Sequence, residues 1–293
     1  MKPPRFAYAA PTTVDDVLDV LRMDPEDTTL LAGGQSLMPM LNMRMAAPRV
    51  LVDLNGVAEL SRIDADADRV RIGAMVRQRT LETDVRIAQR VPLLAEATTH
   101  IAHVPIRTRG TVGGSLAHAD PSAELPAAIS ALGGRLHLRG PDGDRVVAAN
   151  EFFLGPLTTA AQPDELLVAI DVEPPPAGNG WAFLEVARTH GAFALAGVAA
   201  VVHLDAAGTI DHAALALCGV GGAPYAATWL AEMATGERPD EALFEHVAQR
   251  VHEEISPYDD GHATADYRRR VAVVLTQRAL LAAAARSNGG GPS

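Results

Sequence analysis

Lysine, cysteine and long apolar runs are almost missing from this sequence, and each shortage removes a class of chemistry. Lys2 is the only lysine, so nothing can act as a P-loop, Schiff-base or kinase phosphate lysine. Cys218 is the only cysteine. It permits no internal disulfide and no thiolate-ligated iron–sulfur cluster or structural zinc site within the chain, so any such cluster belongs to a partner. No uninterrupted apolar run is long enough for a membrane span, and residues 1–6 lack a signal-peptide apolar region, so a cytoplasmic location is expected. Positive charge is also scarce. The formal net charge is −11, with the acids scattered rather than gathered into a tail, which offers nucleic acid nothing broad to bind. Aromatic residues make up 4%, and Trp181 and Trp229 are too isolated for a stacking platform. They read as core or interface residues.

What remains is material for two ordinary cores: 293 residues, 48% of them hydrophobic and 21% charged. That length suits two domains of roughly 100–200 residues. Thr13 reads as the N-cap of a helix whose apolar face is Val14, Val17, Leu18 and Leu21. Residues 28–32, 49–54, 69–74, 135–138 and 165–172 read as strands, with a turn at 64–68, and 126–132 reads as a short helix. Residues 80–102 read as helical with a break near Pro92, and 107–115 as loop. Three prolines followed by Ala177-Gly178-Asn179-Gly180 make the clearest linker. It separates an expected first domain, 1–174, from a second, 181–286. In the second, strands at 181–188, 195–204 and 210–220 precede helices near 225–235, 240–255 and 264–285, which is α+β order. Residues 287–293 are expected to be a disordered tail.

Two segments share paired glycines followed by a short polar residue: Ala32-Gly33-Gly34-Gln35-Ser36-Leu37 and Thr111-Val112-Gly113-Gly114-Ser115. Each Gly-Gly can be an ordinary turn. Together they can also form two backbone nests, with positive φ at the glycines, that hold the two halves of a pyrophosphate beside the hydroxyls of Ser36, Thr111 and Ser115. Neither has the spacing of a Rossmann fingerprint.

The strings from Ala32 to Pro39 and from Ile106 to Glu124 resemble the two FAD-binding signatures of the medium subunit of carbon monoxide dehydrogenase-type molybdenum hydroxylases, relatives of xanthine dehydrogenase. The likeness runs from Phe6 to Arg286 and includes Val52-Asp53-Leu54, Ile72-Gly73-Ala74, Ala187-Arg188 and Tyr267-Arg268-Arg269. It implies an α+β chain: an FAD-binding domain of the vanillyl-alcohol-oxidase (PCMH) type, built from two α/β subdomains, then a small C-terminal domain of antiparallel sheet and helices. It also implies non-covalent FAD. Ala32, Gly33, Gly34, Gln35, Ser36, Leu37, Thr111, Gly113, Gly114 and Ser115 would wrap the pyrophosphate, and Glu124 would hold the adenosine end. Leu167 and Phe193 would lie near the rings, and Ile101 and Asp120 complete the set. The family often has Asn at Thr108, Gln at Pro105 and Asp at Ala192.

By the same resemblance the partners are an iron–sulfur small subunit and a molybdenum-cofactor large subunit, assembled as a dimer of heterotrimers. Electrons would pass from the clusters through the flavin to NAD, quinone or oxygen. No residue is a convincing general base, so no catalytic residue is assigned. The competing readings are a stand-alone flavoenzyme of the same fold and a non-catalytic nucleotide-binding module. His100, His103, His118 and Asp120 are better explained by helix ends and the flavin signature than by a metal site, and the resembled family makes no covalent link at His118. Cys218 reads as buried core, and Arg268-Arg269-Arg270 as a solvated face or a partner contact.

Overall fold

The computed structural model describes residues 2–66 and 68–287. The N-terminal helix Val14–Met23 forms as its sequence demands. Thr13 Oγ1 accepts the Asp16 amide at 3.2 Å, Asp15 and Asp16 complement the first turn, and Val14, Val17, Leu18 and Leu21 are buried. That face covers a parallel three-stranded sheet, with Val50–Asp53 between Ala7–Ala9 and Thr28–Leu31.

A second sheet of five strands is antiparallel throughout, in the order Ile63–Ala65, Val70–Gly73, Leu166–Val172, Arg135–Gly140, Gly143–Ala148. Its centre is the strand latest in sequence, Leu166–Val172, which carries a bulge between Leu167 and Ala169. The expected turn at 64–68 starts later, because Asp64 and Ala65 remain paired in the strand. The helical stretch breaks at Pro92, which begins the helix Pro92–His100. It also breaks at Asp84, whose side chain accepts the Arg86 amide at 2.8 Å and caps a new helix, Val85–Arg90.

Residues 174–179 contain no helix or strand. Beyond them, Gly180–Ala187, Ala194–Leu204, Ile210–Cys218 and Tyr225–Ala226 form an antiparallel sheet in that order. Residues 225–226 are thus strand where helix was expected, and the helices are Leu230–Ala234, Glu241–Glu254 and Ala265–Ser287. The sheet is buried on both faces, which explains its alanine-rich central strand. Val198, Ala200 and Val202 join the core with the C-terminal helices, while Ala199, Val201, Ala216 and Cys218 join the core of the N-terminal region. The helices Pro92–His100 and Glu124–Ala131 pack on that second face.

Two expectations about the C-terminal helix need correction. Arg268 is not solvated: it is buried, pairs with Asp260 at 2.6 Å and donates to the Leu195 carbonyl at 2.7 Å. Desolvation of a guanidinium is tolerated because these partners replace water. Ser287 is helical rather than tail, and its hydroxyl accepts the Leu204 amide at 3.0 Å. The rest of the expected tail, 288–293, lies outside the described residues.

Candidate functional site: two glycine segments in contact

The first glycine segment leaves the parallel sheet after Leu31 and enters the short helix Leu37–Asn42. Gly34 has φ +72°, a conformation that L side chains rarely adopt. Gly33 is needed for space, since a Cβ there would strike the Arg109 carbonyl oxygen and lie 2.8 Å from Gly110 Cα. The Gln35 side chain folds back to donate to the Gly33 carbonyl at 3.0 Å. The backbone N–H groups of Gly34, Gln35 and Ser36 have no partner among the described residues, and the Ser36 side chain makes no cap bond. A run of free amides around a positive-φ glycine forms an anion nest.

The second segment is built differently, and the expectation of a loop with positive φ is corrected. Thr111 is the N-cap of the helix Val112–His118, so Gly113, Gly114 and Ser115 are helical, and neither glycine has positive φ. Every amide in this turn is engaged. Val112 donates to the Val76 carbonyl at 2.9 Å, Gly113 to Ala74 at 2.8 Å, Gly114 to Thr111 Oγ1 at 3.0 Å and Ser115 to the Thr111 carbonyl at 3.2 Å. The glycines serve close packing instead. A Cβ on Gly113 would lie 2.5 Å from Ala74 Cβ, and one on Gly114 would lie 2.7 Å from Thr111 Oγ1 and 3.4 Å from Ala32 Cβ. Positive φ falls on the C-cap of this helix, Ala119, at 50°. The two segments therefore touch, through Gly33 against Arg109–Gly110 and through Ala32 near Gly114.

A polar chain that the motifs did not reveal ties them together. Arg77 donates to the Arg109 carbonyl and to Asn55 Oδ1. Asn55 donates to the Ala32 carbonyl at 3.2 Å, and its side chain also reaches Asp53, which accepts the Tyr8 hydroxyl at 2.6 Å. Burial pushes the Asp53 carboxyl up, but hydrogen bonds from Tyr8 and Asn55 outweigh it and hold the group below the usual range. Burial and the neighbouring Arg109 lower the Arg77 guanidinium. Gln78 is buried against Gly110, and its backbone N–H donates to the Gly110 carbonyl at 2.9 Å.

A second group of expected residues is organised by another missed residue, Arg107. Buried, it binds Glu82 at 2.8 Å and donates to the carbonyls of Ile101 at 2.7 Å and Ala102 at 3.2 Å, bracing Ala102 at φ +42°. Glu124 opens the helix Glu124–Ala131 and is 6% exposed. Burial pushes its carboxyl up to about 8, and the negative charges of Glu185 and Asp120 act in the same direction. Asp120 Oδ1 accepts the Ser122 amide at 2.8 Å. Leu167 is buried at the bulge, next to Val168, whose carbonyl accepts the Ala74 amide at 3.0 Å. Phe193 is 68% exposed, on a segment that lies against His103 through the His190 ring at 5.6 Å. Of the family departures, Pro105 sits in the first turn of the helix Val104–Arg107, and Thr108 Oγ1 donates to its carbonyl at 2.7 Å. Both are accommodated locally.

Comparisons with known proteins agree with this organisation. Residues 4–175 match the model of the FAD binding domain in molybdopterin dehydrogenase, and residues 181–283 match that of the CO dehydrogenase flavoprotein C-terminal domain. The chain is 39% identical to the caffeine dehydrogenase subunit beta of a Pseudomonas species over 98% of its own length and 97% of that protein. It is 35% identical to the carbon monoxide dehydrogenase medium chain of Afipia carboxidovorans, covering 98% and 99%. Its structure superimposes on a chain of carbon monoxide dehydrogenase from Hydrogenophaga pseudoflava with a TM-score of 0.95 at 37% identity, covering 98% and 99%.

Proposed function

The chain belongs to the family of FAD-binding medium subunits of carbon monoxide dehydrogenase-type molybdenum hydroxylases, and from that premise we propose that it binds FAD across its two glycine segments and relays electrons from partner iron–sulfur clusters to an external acceptor. It is an oxidoreductase subunit with an FAD-binding domain. The observation that carries the binding mode is the set of free amides at Gly34, Gln35 and Ser36, set against a second segment that is rigid and self-satisfied. These donors fit a pyrophosphate: they supply the positive potential that a lysine would otherwise provide. Bound there, FAD supplies a carrier that accepts two electrons and can release them singly.

The chain's own residues hold and orient the cofactor. The hydroxyls of Thr111 and Ser115 complete the phosphate shell opposite the first segment. Glu124 faces the adenosine end, Leu167 and Phe193 the rings, and Ile101 and Asp120 border the site. In the assembly we propose, an iron–sulfur small subunit and a molybdenum-cofactor large subunit join this chain in a dimer of heterotrimers, and the acceptor is a small molecule such as NAD, a quinone or oxygen. No described helix is long and apolar enough to cross a membrane.

Stopped-flow bleaching of the flavin tests the relay. Rapid reduction is expected only with both partner subunits and their substrate present, and omission of either should stop it. Steady oxidation of an organic substrate by the single chain would overturn the relay and favour a stand-alone flavoenzyme. Acid precipitation should release all the colour, since the binding is not covalent.

A further inference from the structure

Half of the chain's 8 methionines, Met38, Met40, Met43 and Met45, fall between residues 38 and 45, directly behind the first glycine segment. They sit in and just after the short helix Leu37–Asn42, where the chain turns back on itself. The Met43 amide donates to the Pro39 carbonyl at 2.9 Å, and the Met45 amide to the Met40 carbonyl at 2.9 Å. Met38 is 38% exposed, Met43 50% and Met45 70%, which makes an apolar, oxidisable patch on the surface. Met38 also reaches the nest. Its amide donates to the Gly34 carbonyl at 3.0 Å, and its side chain lies over the positive-φ glycine, since a Cβ on Gly34 would be 3.1 Å from Met38 Cγ. One thioether is therefore beside the free amides and open to solvent at once.

We propose that Met38 is a redox modification site, at which oxidation of the thioether to the sulfoxide turns an apolar wall of the nest into a competing hydrogen-bond acceptor and weakens FAD. This rests on the FAD reading given above. The oxidant is a peroxide. The sulfur attacks one oxygen of hydrogen peroxide, the O–O bond breaks, an S–O bond forms, and the other oxygen leaves as water with both protons. Sulfur thus loses two electrons and the peroxide gains them. Oxygen, one of the acceptors proposed above, becomes hydrogen peroxide on taking two electrons and two protons, so the relay can generate the reagent that weakens it. The new oxygen stands two bonds beyond Cγ, beside the amides of Gly34, Gln35 and Ser36, which have no partner among the described residues. Donors that meet an internal acceptor are no longer free for a phosphate. The only cysteine does not compete for the oxidant. Cys218 is fully buried, and burial pushes its thiol up, which suppresses the reactive thiolate.

The test is FAD titration of the apo chain before and after graded hydrogen peroxide, with mass mapping of each methionine and apo melting curves as the control for folding. Three variants accompany the unaltered chain. Met38→Leu keeps an apolar side chain without sulfur, and Met38→Gln places an acceptor oxygen two bonds beyond Cγ without oxidation. The double variant Met43→Leu/Met45→Leu removes the more exposed thioethers. In the unaltered chain the loss of affinity should follow the sulfoxide of Met38 rather than that of Met45 or of Met23, which is 84% exposed. It should reach about five- to tenfold, the equivalent of one hydrogen bond, and methionine sulfoxide reductase should restore it. Met38→Leu should bind FAD as the unaltered chain does and keep that affinity after peroxide. Met38→Gln should bind weakly without treatment, and the double variant should stay as sensitive as the unaltered chain. Full affinity with Met38 completely oxidised, or an equal loss in peroxide-treated Met38→Leu, would overturn the inference and leave the FAD reading in place. Failure of the untreated, unaltered chain to bind FAD would overturn both.

Discussion

The two glycine pairs look alike in sequence and do opposite work. In the first, Gly34 takes a left-handed conformation, and the successive amides of Gly34, Gln35 and Ser36 have no partner among the described residues. In the second, both glycines are helical, every amide is engaged, and the missing Cβ atoms let helix and sheet approach. One pair makes donors and the other makes room. The pair is thus not symmetrical: in the proposed site the first wall offers backbone amides and the second only hydroxyls, and the Arg77–Asn55 link ties the two walls together.

Breaking the packing side should give the largest effect. In Gly113→Val the added side chain meets Ala74, overpacking that costs about 3 kcal/mol, and the apo protein should melt roughly 6–12 °C lower. FAD binding should vanish with it. A variant with wild-type melting temperature would show that the second segment tolerates a side chain after all.

Cutting the link comes next. Arg77→Ala strands the Arg109 carbonyl and the Asn55 side chain, a loss of about 1.5–3 kcal/mol for charge-assisted bonds. Because both segments lose their common anchor, FAD affinity and apo stability should fall together, and calorimetry with flavin titration will show whether they do.

Gly34→Ala separates the two roles. Left-handed strain costs about 1–2 kcal/mol, so the apo melting temperature should drop only a few degrees. FAD affinity should fall by more than that strain accounts for, because the free amides are displaced. Proportionate losses in stability and affinity would mean that the first segment is an ordinary turn.

The smallest effect belongs to the helix cap. Thr111→Val removes the acceptor for the Gly114 amide, which costs about 1 kcal/mol, whereas Thr111→Ser keeps it. Apo melting curves should rank wild type and Ser together above Val, and a Val variant as stable as wild type with Ser below both would move the role of Thr111 from the cap to its methyl group.

The sequence alone determined whatever depends on neighbours a few residues apart. The N-cap at Thr13 and the apolar face behind it, the helix break at Pro92, the longer strands such as 165–172, 195–204 and 210–220 and the two FAD signatures are all local patterns, and local patterns survive folding because hydrogen bonds and period act over a turn or a strand. The break at Asp84 was equally local but was hidden by a continuous helical pattern. Tertiary structure decided the rest. Whether Gly113 needs its φ or its missing Cβ depends on Ala74, far away in the chain, and whether Arg107 and Arg268 are solvated depends on Glu82, Asp260 and distant carbonyls. The Tyr8–Asp53–Asn55–Arg77 chain joins residues from separate strands and turns. Glu124 is perturbed, and Glu185 Oε2 is buried with no partner among the described residues, only because the C-terminal sheet packs on the helices of the N-terminal region. Burial and long-range pairing set these properties, and neither is written in the spacing of residues along the chain.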